Sequence, residues 1–266
     1  EEIIEQATSL YEVPEIIDDP QLTADINNLI VELLENEPQG NHAKLFNARL
    51  RGLINESRER MDGDPGSILR IGSVDLRELS AGSYFKVTGE WNDVLTNVSV
   101  HIIARANQDV FSAKKDLEDR TYYLPRLYDC SVQGADTAFK NIGGRKLIAK
   151  DCDEAFIGCY PQGIKDSIAI SCREAFTNVL AQGCLAANCD VAFYGIRDES
   201  KDLIAQFCRV AFYERDRRGY THRIGRKERT QRNLVVDNAT NWRSPLAHYR
   251  AGKAFGSPPK FGIRPQ

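Results

Sequence analysis

One dipeptide recurs five times in the middle of this 266-residue chain, and its spacing limits the possible folds more than any other feature. Ala-Phe begins at residues 138, 155, 175, 192 and 211, so successive copies are 17, 20, 17 and 19 residues apart. Aligning the flanking residues on this dipeptide shows a small residue, an aliphatic residue and a charge at constant offsets. The columns are Ala135, Cys152, Cys172, Cys189 and Cys208; Ser131, Ile148, Ile168, Leu185 and Ile204; Val132, Ala149, Ala169, Ala186 and Ala205; and Asp136, Asp153, Arg173, Asp190 and Arg209.

A repeat of this length is too short for a helical hairpin, because two helices and two turns need more than about 30 residues. One coil of a parallel β-solenoid has a suitable length, and equivalent side chains of successive coils stack about 4.8 Å apart. We therefore predict an α+β protein with a five-coil parallel β-solenoid (β-helix) of 17–20 residues per coil at 126–213. Length varies only between the Phe and the next aliphatic residue, which predicts loops there, as in the segment 177–183. One helix per repeat stays open as an alternative, because segment 167–182 has helical composition.

The repeat also suggests a structural role for the cysteines. All seven lie between residues 130 and 208, without a Cys-x-x-Cys pair and without a histidine near the closest two, Cys184 and Cys189. This arrangement argues against a structural zinc site and against a small disulfide scaffold. We predict buried, reduced thiols in a cytoplasmic protein.

The regions before the repeat have different patterns. Residues 20–61 predict two antiparallel helices, with Asn41 available to cap the second. The expected buried stripes are Leu22, Ile26, Leu29, Leu33 and Leu34, and Leu45, Phe46, Leu50, Leu53 and Ile54. Short β-branched and aromatic segments between 68 and 112 predict a small antiparallel or mixed sheet. The chain is thus divided into an acidic helical region (1–66), a small β-sheet region (67–125), the solenoid (126–213) and a basic aromatic tail or cap (214–266).

Charge is distributed unevenly along the chain, although the net charge is only -3. Residues 1–43 contain eleven acidic residues and no Lys or Arg, whereas residues 214–266 contain thirteen basic residues and four acidic ones. One explanation is structural: the two ends attract each other, or each forms a solvated face. The other is functional: the tail binds an anionic partner such as nucleic acid. The candidate binding residues of the tail are Arg215, Arg217, Arg218, Tyr220, Arg223, Arg226, Lys227 and Arg229.

Few residues suggest catalysis. The chain has no phosphate-binding loop of the GxxxxGK[ST] type and no GxGxxG motif, and the repeats contain no histidine to act as a base. A carbohydrate-active enzyme could use stacked carboxylates as an acid–base pair. The candidates are Asp151, Asp153, Glu154 and Glu174, with Arg173 beside them. The alternating signs of Asp153, Arg173, Asp190 and Arg209 favour an exposed charge ladder instead.

These patterns together favour a non-enzymatic function. We expect a scaffold or macromolecule-binding module that presents a solenoid face and the basic tail to another protein. The alternatives are a nucleic-acid-associated protein that binds through the tail, and the carbohydrate-active enzyme. We expect no metal and no cofactor. We also expect no membrane partner, because no apolar run approaches the roughly 18 residues that span a bilayer.

Overall fold

The computed structural model describes residues 15–61, 67–87, 97–113, 126–159, 163–196, 200, 202–213 and 234–236. In these ranges the chain forms two helices and three sheets of parallel strands, an α+β arrangement that is β-solenoid-like. Neither helix in the described ranges is long and apolar enough to cross a membrane.

The predicted pair of helices is confirmed. Helix α1 spans Pro20–Asn36 and helix α2 spans His42–Met61, with the 3-10 turn Gln39–Asn41 between them. Asn41, the expected cap, ends this turn and leads directly into α2. Proline suits the first position of α1, because an N–H there would have no helical partner.

One residue of the predicted helical stripes was wrong. Leu34 is 41% exposed, and Ile30 is buried in its place. The buried stripe of α1 runs from Leu22 through Ile26 to Leu33. Successive helical residues are about 100° apart around the axis, so Leu34 lies to one side of this stripe. Leu45 and Leu53 of α2 are only partly buried, but both pack against the core.

The strands form a first sheet of nine, a second sheet of eight and a third sheet of four. The first sheet contains Ile16–Asp18, Ile68–Asp75, Val98–Ile103, Ser131–Gln133, Ile148–Lys150, Ile168–Ile170, Leu185–Ala187, Ile204–Gln206 and Leu234–Val236. The second contains Gly82–Ser83, Lys86–Val87, Gln108–Ala113, Thr137–Lys140, Glu154–Ile157, Glu174–Thr177, Val191–Tyr194 and Val210–Tyr213. The third contains Arg126–Tyr128, Gly143–Arg145, Ile164–Lys165 and Ala181–Gln182.

The aliphatic, alanine and phenylalanine columns found in the sequence are register partners in the sheets. In the first sheet Ile148 is aligned with Ile168, which is aligned in turn with Leu185. In the second sheet Phe156 is aligned with Phe176. Strands of one repeat therefore pair in parallel with those of the next, which is the arrangement that produces ladders of one residue type.

The loop predicted between each Phe and the next aliphatic residue was wrong in part. Three of these segments contain the third-sheet strands Gly143–Arg145, Ile164–Lys165 and Ala181–Gln182. Each of these strands has only two or three residues, too few for an alternating pattern to be recognised. The repeats that include them therefore contribute a strand to each of the three sheets.

The antiparallel or mixed sheet predicted for residues 68–112 was also wrong. Val98–Ile103 pairs in parallel with Ile68–Asp75 on one side and with Ser131–Gln133 on the other. The first sheet thus continues across the boundary proposed at residue 125, although the division into domains itself stays a prediction.

A stack of phenylalanine rings runs through the core. Neighbouring ring centroids lie between 4.7 and 5.4 Å apart, and from Phe111 onward adjacent ring planes are within 14° of parallel. The rings in order are Phe46, Phe85, Phe111, Phe139, Phe156, Phe176 and Phe193. Phe46 belongs to α2, so the helical pair packs on the same core as the repeats.

Candidate functional site

Three of the four carboxylates considered for catalysis surround one guanidinium group. Arg173 donates from Nη2 to Asp153 Oδ2 at 2.9 Å and from Nη1 to Glu174 Oε1 at 2.7 Å. Its Nη2 also lies 3.5 Å from Glu154 Oε1. Asp151 lies apart from this Arg173 cluster, where it accepts a hydrogen bond from Gln133.

The electrostatics of the Arg173 cluster favour a structural role. Burial raises the pKa of Glu154, the neighbouring Glu174 raises it further, and Arg173 partly opposes both effects. The hydrogen bond to Asp153 raises the pKa of Arg173, which therefore remains a cation. Arg173 lies within ion-pair distance of all three carboxylates, so the cluster is a network of compensated charges.

The charged column behaves as an exposed ladder. Besides the Asp153–Arg173 pair, Arg209 Nε lies 3.3 Å from Asp190 Oδ1. Each of these four side chains is about half exposed, and such ion pairs contribute at most about 1 kcal/mol to stability. The alternation of sign avoids stacking like charges on neighbouring strands.

None of the seven cysteines is exposed at the surface. All seven are free and buried, and each ladder cysteine donates to the carbonyl two residues earlier, as Cys172 does to Ile170 at 3.3 Å. Burial raises the pKa of Cys130, Cys159 and Cys184 to about 12, so these thiols stay protonated at neutral pH. In the part of the chain that the structure describes, no cluster of His, Cys, Asp and Glu could hold a metal ion.

The outer side of the first sheet exposes an apolar surface. The middle residue of each repeat strand, such as Ala149 or Ala169, is fully buried, so the residues before and after it point outward. Ile148 and Ile204 are 38% and 37% exposed. We name this surface the aliphatic face, and it comprises Ile148, Ile168, Ile170, Leu185, Ala187 and Ile204.

The aliphatic face carries little charge. Across the five repeat strands of the first sheet, Lys150 is the one charged residue at an outward position. The remaining outward positions hold the apolar residues of the face and the neutral polar residues Ser131, Gln133 and Gln206. Sequence alignment identified the Ile column but not its direction, because an aliphatic column is compatible with either side of a sheet.

The candidate residues of the basic tail cannot be placed relative to these surfaces. Arg215, Arg217, Arg218, Tyr220, Arg223, Arg226, Lys227 and Arg229 all lie outside the described residues.

Comparisons of the chain with protein-family models, with curated proteins and with solved structures gave no match. The function therefore has to be inferred from the chemistry and geometry of these surfaces.

Proposed function

We propose that this chain is a non-enzymatic scaffold whose aliphatic face binds another protein. The main support is the column of Ile and Leu side chains on the outer side of the first sheet, where Ile148 and Ile204 are each more than a third exposed. Contiguous apolar surface of this kind is typical of protein–protein contact sites. Five rungs about 4.8 Å apart give a surface about 20 Å long.

The chemistry of the face favours a protein over a nucleic acid. Nucleic-acid contacts depend on Lys and Arg that neutralise phosphates, and this face offers Lys150 alone. A partner with its own apolar side chains would bury Ile168 and Leu185 without leaving a charge unpaired. The expected partner surface is therefore apolar, in the form of either a strand or a helix.

The groups that could perform chemistry also support a non-enzymatic function. The cysteines are buried, and three carboxylates are held by Arg173. Free thiols throughout a core further support the predicted reducing, cytoplasmic compartment.

The rigidity that a scaffold needs would come from the repeat architecture. We propose that residues 126–213 form five coils, each adding one rung to the first and second sheets. The register of Ala149 with Ala169 and of Phe156 with Phe176 supports this arrangement. Each coil would contact only its neighbours, so the outer faces would be long and regular.

Replacing two central aliphatic residues tests the proposal. Ile168→Thr with Leu185→Thr removes apolar surface and keeps residues that suit a strand. We expect a partner cross-linked from a native extract, once purified, to bind this variant about tenfold more weakly than the parent protein. The dissociation constant of the purified pair is the measurement.

The control removes the same number of exposed aliphatic residues from helix α1, where Val31 and Leu34 are 51% and 41% exposed. Val31→Gln with Leu34→Gln should leave the affinity unchanged. Equal affinity of the first-sheet variant and the parent protein would contradict the proposal. A change in self-association alone would also contradict it, since the face would then bind a second copy of this chain.

A further inference from the structure

A short groove crosses the outer side of the third sheet. It has a volume of about 310 Å³, at the lower end of the range for small-molecule sites. Its wall is a column of register partners, since Arg145 is aligned with Tyr128 on one side and with Lys165 on the other. The lining residues are Asn97, Arg126, Leu127, Tyr128, Gly144, Arg145, Gly163 and Lys165.

The groove stays open because two of its positions cannot carry a side chain. A Cβ on Gly144 would lie 2.7 Å from the carbonyl oxygen of Leu127. Gly163 has φ +74°, and a Cβ there would lie 2.6 Å from the carbonyl oxygen of Leu180. Both positions therefore require glycine, and no side chain from either can fill the groove.

The charged residues that line the groove are all basic. Arg126, Arg145 and Lys165 contribute three cations, and none of the lining residues is acidic. Lys165 makes no ion pair with any residue that the structure describes. Arg145 pairs with Asp166, Nε to Oδ2 at 2.8 Å, but both side chains are 48% exposed. An exposed pair is worth at most about 1 kcal/mol, so a ligand can replace it.

We propose that this groove binds a small anion with two or more phosphate groups. Guanidinium groups match tetrahedral oxyanions through paired N–H donors, and the groove provides two of them together with an ammonium group. Because Arg145 and Lys165 lie on adjacent rungs about 4.8 Å apart, they can bind separate phosphates of one ligand.

The size of the groove and its aromatic residue favour a small anion over a nucleic acid. Recognition of single strands depends on bases stacking on open aromatic rings. One face of the Tyr128 ring is occupied by Lys146, whose Nζ lies 5.7 Å from the ring centroid. This site would be separate from the aliphatic face and from the basic tail.

Calorimetric titration of the full chain with tripolyphosphate at low salt tests the site. Removing two cations with Arg145→Gln and Lys165→Gln should weaken binding at least about tenfold. Lys140→Gln with Lys150→Gln removes the same charge from the second and first sheets, and it should change the affinity less than about twofold. Asp166→Asn releases Arg145 and should strengthen binding, and asparagine tolerates the φ of +47° at this position.

Several results would overturn the assignment. These are no binding of tripolyphosphate to the parent protein, an equal loss in the groove variant and its charge-matched control, or binding of a single-stranded oligonucleotide without binding of tripolyphosphate. A loss confined to a variant of the tail, such as Arg217→Gln with Arg218→Gln, would place the anion on the tail instead. Matching thermal unfolding curves would show that the variants are folded.

Discussion

Asp19 connects the strand Ile16–Asp18 to helix α1, and its carboxylate is almost fully buried. One oxygen accepts the amide N–H of Leu22 at 3.1 Å and caps the helix. The other accepts hydrogen bonds from the Ser57 hydroxyl and from Arg60 Nη2, both on helix α2. The Asp19 side chain therefore links the two helices by hydrogen bonds at the edge of the first sheet.

The ionisation of Asp19 makes this contribution depend on pH. Burial alone would raise the pKa of Asp19, but the hydrogen bonds from Ser57, Arg60 and the Leu22 amide together hold it below its usual range. A carboxyl group with a lowered pKa in the folded state stabilises that state above its unfolded pKa of about 4. The stabilisation is lost as the pH falls through the lowered value.

Asp19→Asn should lower the free energy of unfolding by about 2 kcal/mol at pH 7, because it removes the charge from three hydrogen bonds. The difference from the parent protein should shrink as the pH falls below about 4, the usual pKa of an aspartate, and should vanish once the parent carboxyl group is protonated in the folded state. Urea unfolding of both proteins at several pH values measures this difference in the free energy of unfolding. Glu35→Gln, at an exposed position of the same helix, should have little effect at any pH, and a pH-independent cost at Asp19 would contradict this account.

At the scale of the elements, the strands are short because the chain turns sharply at left-handed residues. After the second-sheet strands this conformation occurs at Asn141, Gly158, Asn178 and Gly195, with φ between +53° and +63°. Asparagine and glycine alternate in this corner ladder. Asn141 Oδ1 occupies the space where a Cβ on Gly158 would lie, at 2.6 Å, and Asn178 does the same at Gly195. Each asparagine side chain therefore requires a glycine in the next repeat.

Gly158→Ala should lower the free energy of unfolding by about 3 kcal/mol, since alanine is strained at φ +63° and its Cβ overlaps Asn141. Urea unfolding is again the measurement. Gly52→Ala is the matched control, because Gly52 lies in helix α2 with nothing within 4 Å of the added Cβ. This control should stabilise the protein by about 0.5–1 kcal/mol. Equal effects at the two positions would show that the corner conformation is not constrained.

At the scale of the whole molecule, the basic residues concentrate at the C-terminal end of the chain. If the tail binds nucleic acid as its composition predicts, affinity for a single-stranded oligonucleotide should fall about 50-fold when salt rises fourfold, assuming four phosphate contacts. Changing Arg217, Arg218, Arg226 and Lys227 to Ala should abolish most of this binding and its salt dependence. Fluorescence anisotropy measures both.

Four exposed cations in the body of the protein provide the control for the tail. Changing Lys44, Lys86, Lys140 and Lys150 to Ala removes the same charge from surfaces outside the tail. Oligonucleotide affinity should then remain within about threefold of the parent value. If the two variants bind equally, the tail has no specific role in nucleic-acid binding.

Much of the repeat architecture could be predicted from the sequence. Part of the groove on the third sheet could also have been predicted. The Phe and Cys columns were recognisable because stacked strands place like residues in register. The earlier partner of Phe139 was missed, since Phe111 lies 28 residues before it and follows Val instead of Ala. The groove did leave a partial signal, because Arg145 and Lys165 are 20 residues apart, which is also the spacing of two copies of the Ala-Phe dipeptide. The third-sheet strands that align these two cations have only three and two residues, so they have no pattern of their own.

The sequence by itself determined which residues share a ladder, because equivalent positions of parallel strands repeat at nearly constant intervals along the chain. Only the tertiary structure decided the side of the sheet to which each ladder points, and which ladders meet at a corner. The Ile column faces outward and the adjacent Ala column faces inward because the chain bends at left-handed residues such as Asp151 and Ser171. Composition alone does not specify the direction of that bend, so the aliphatic face and the groove are visible only in the paired strands of the three sheets.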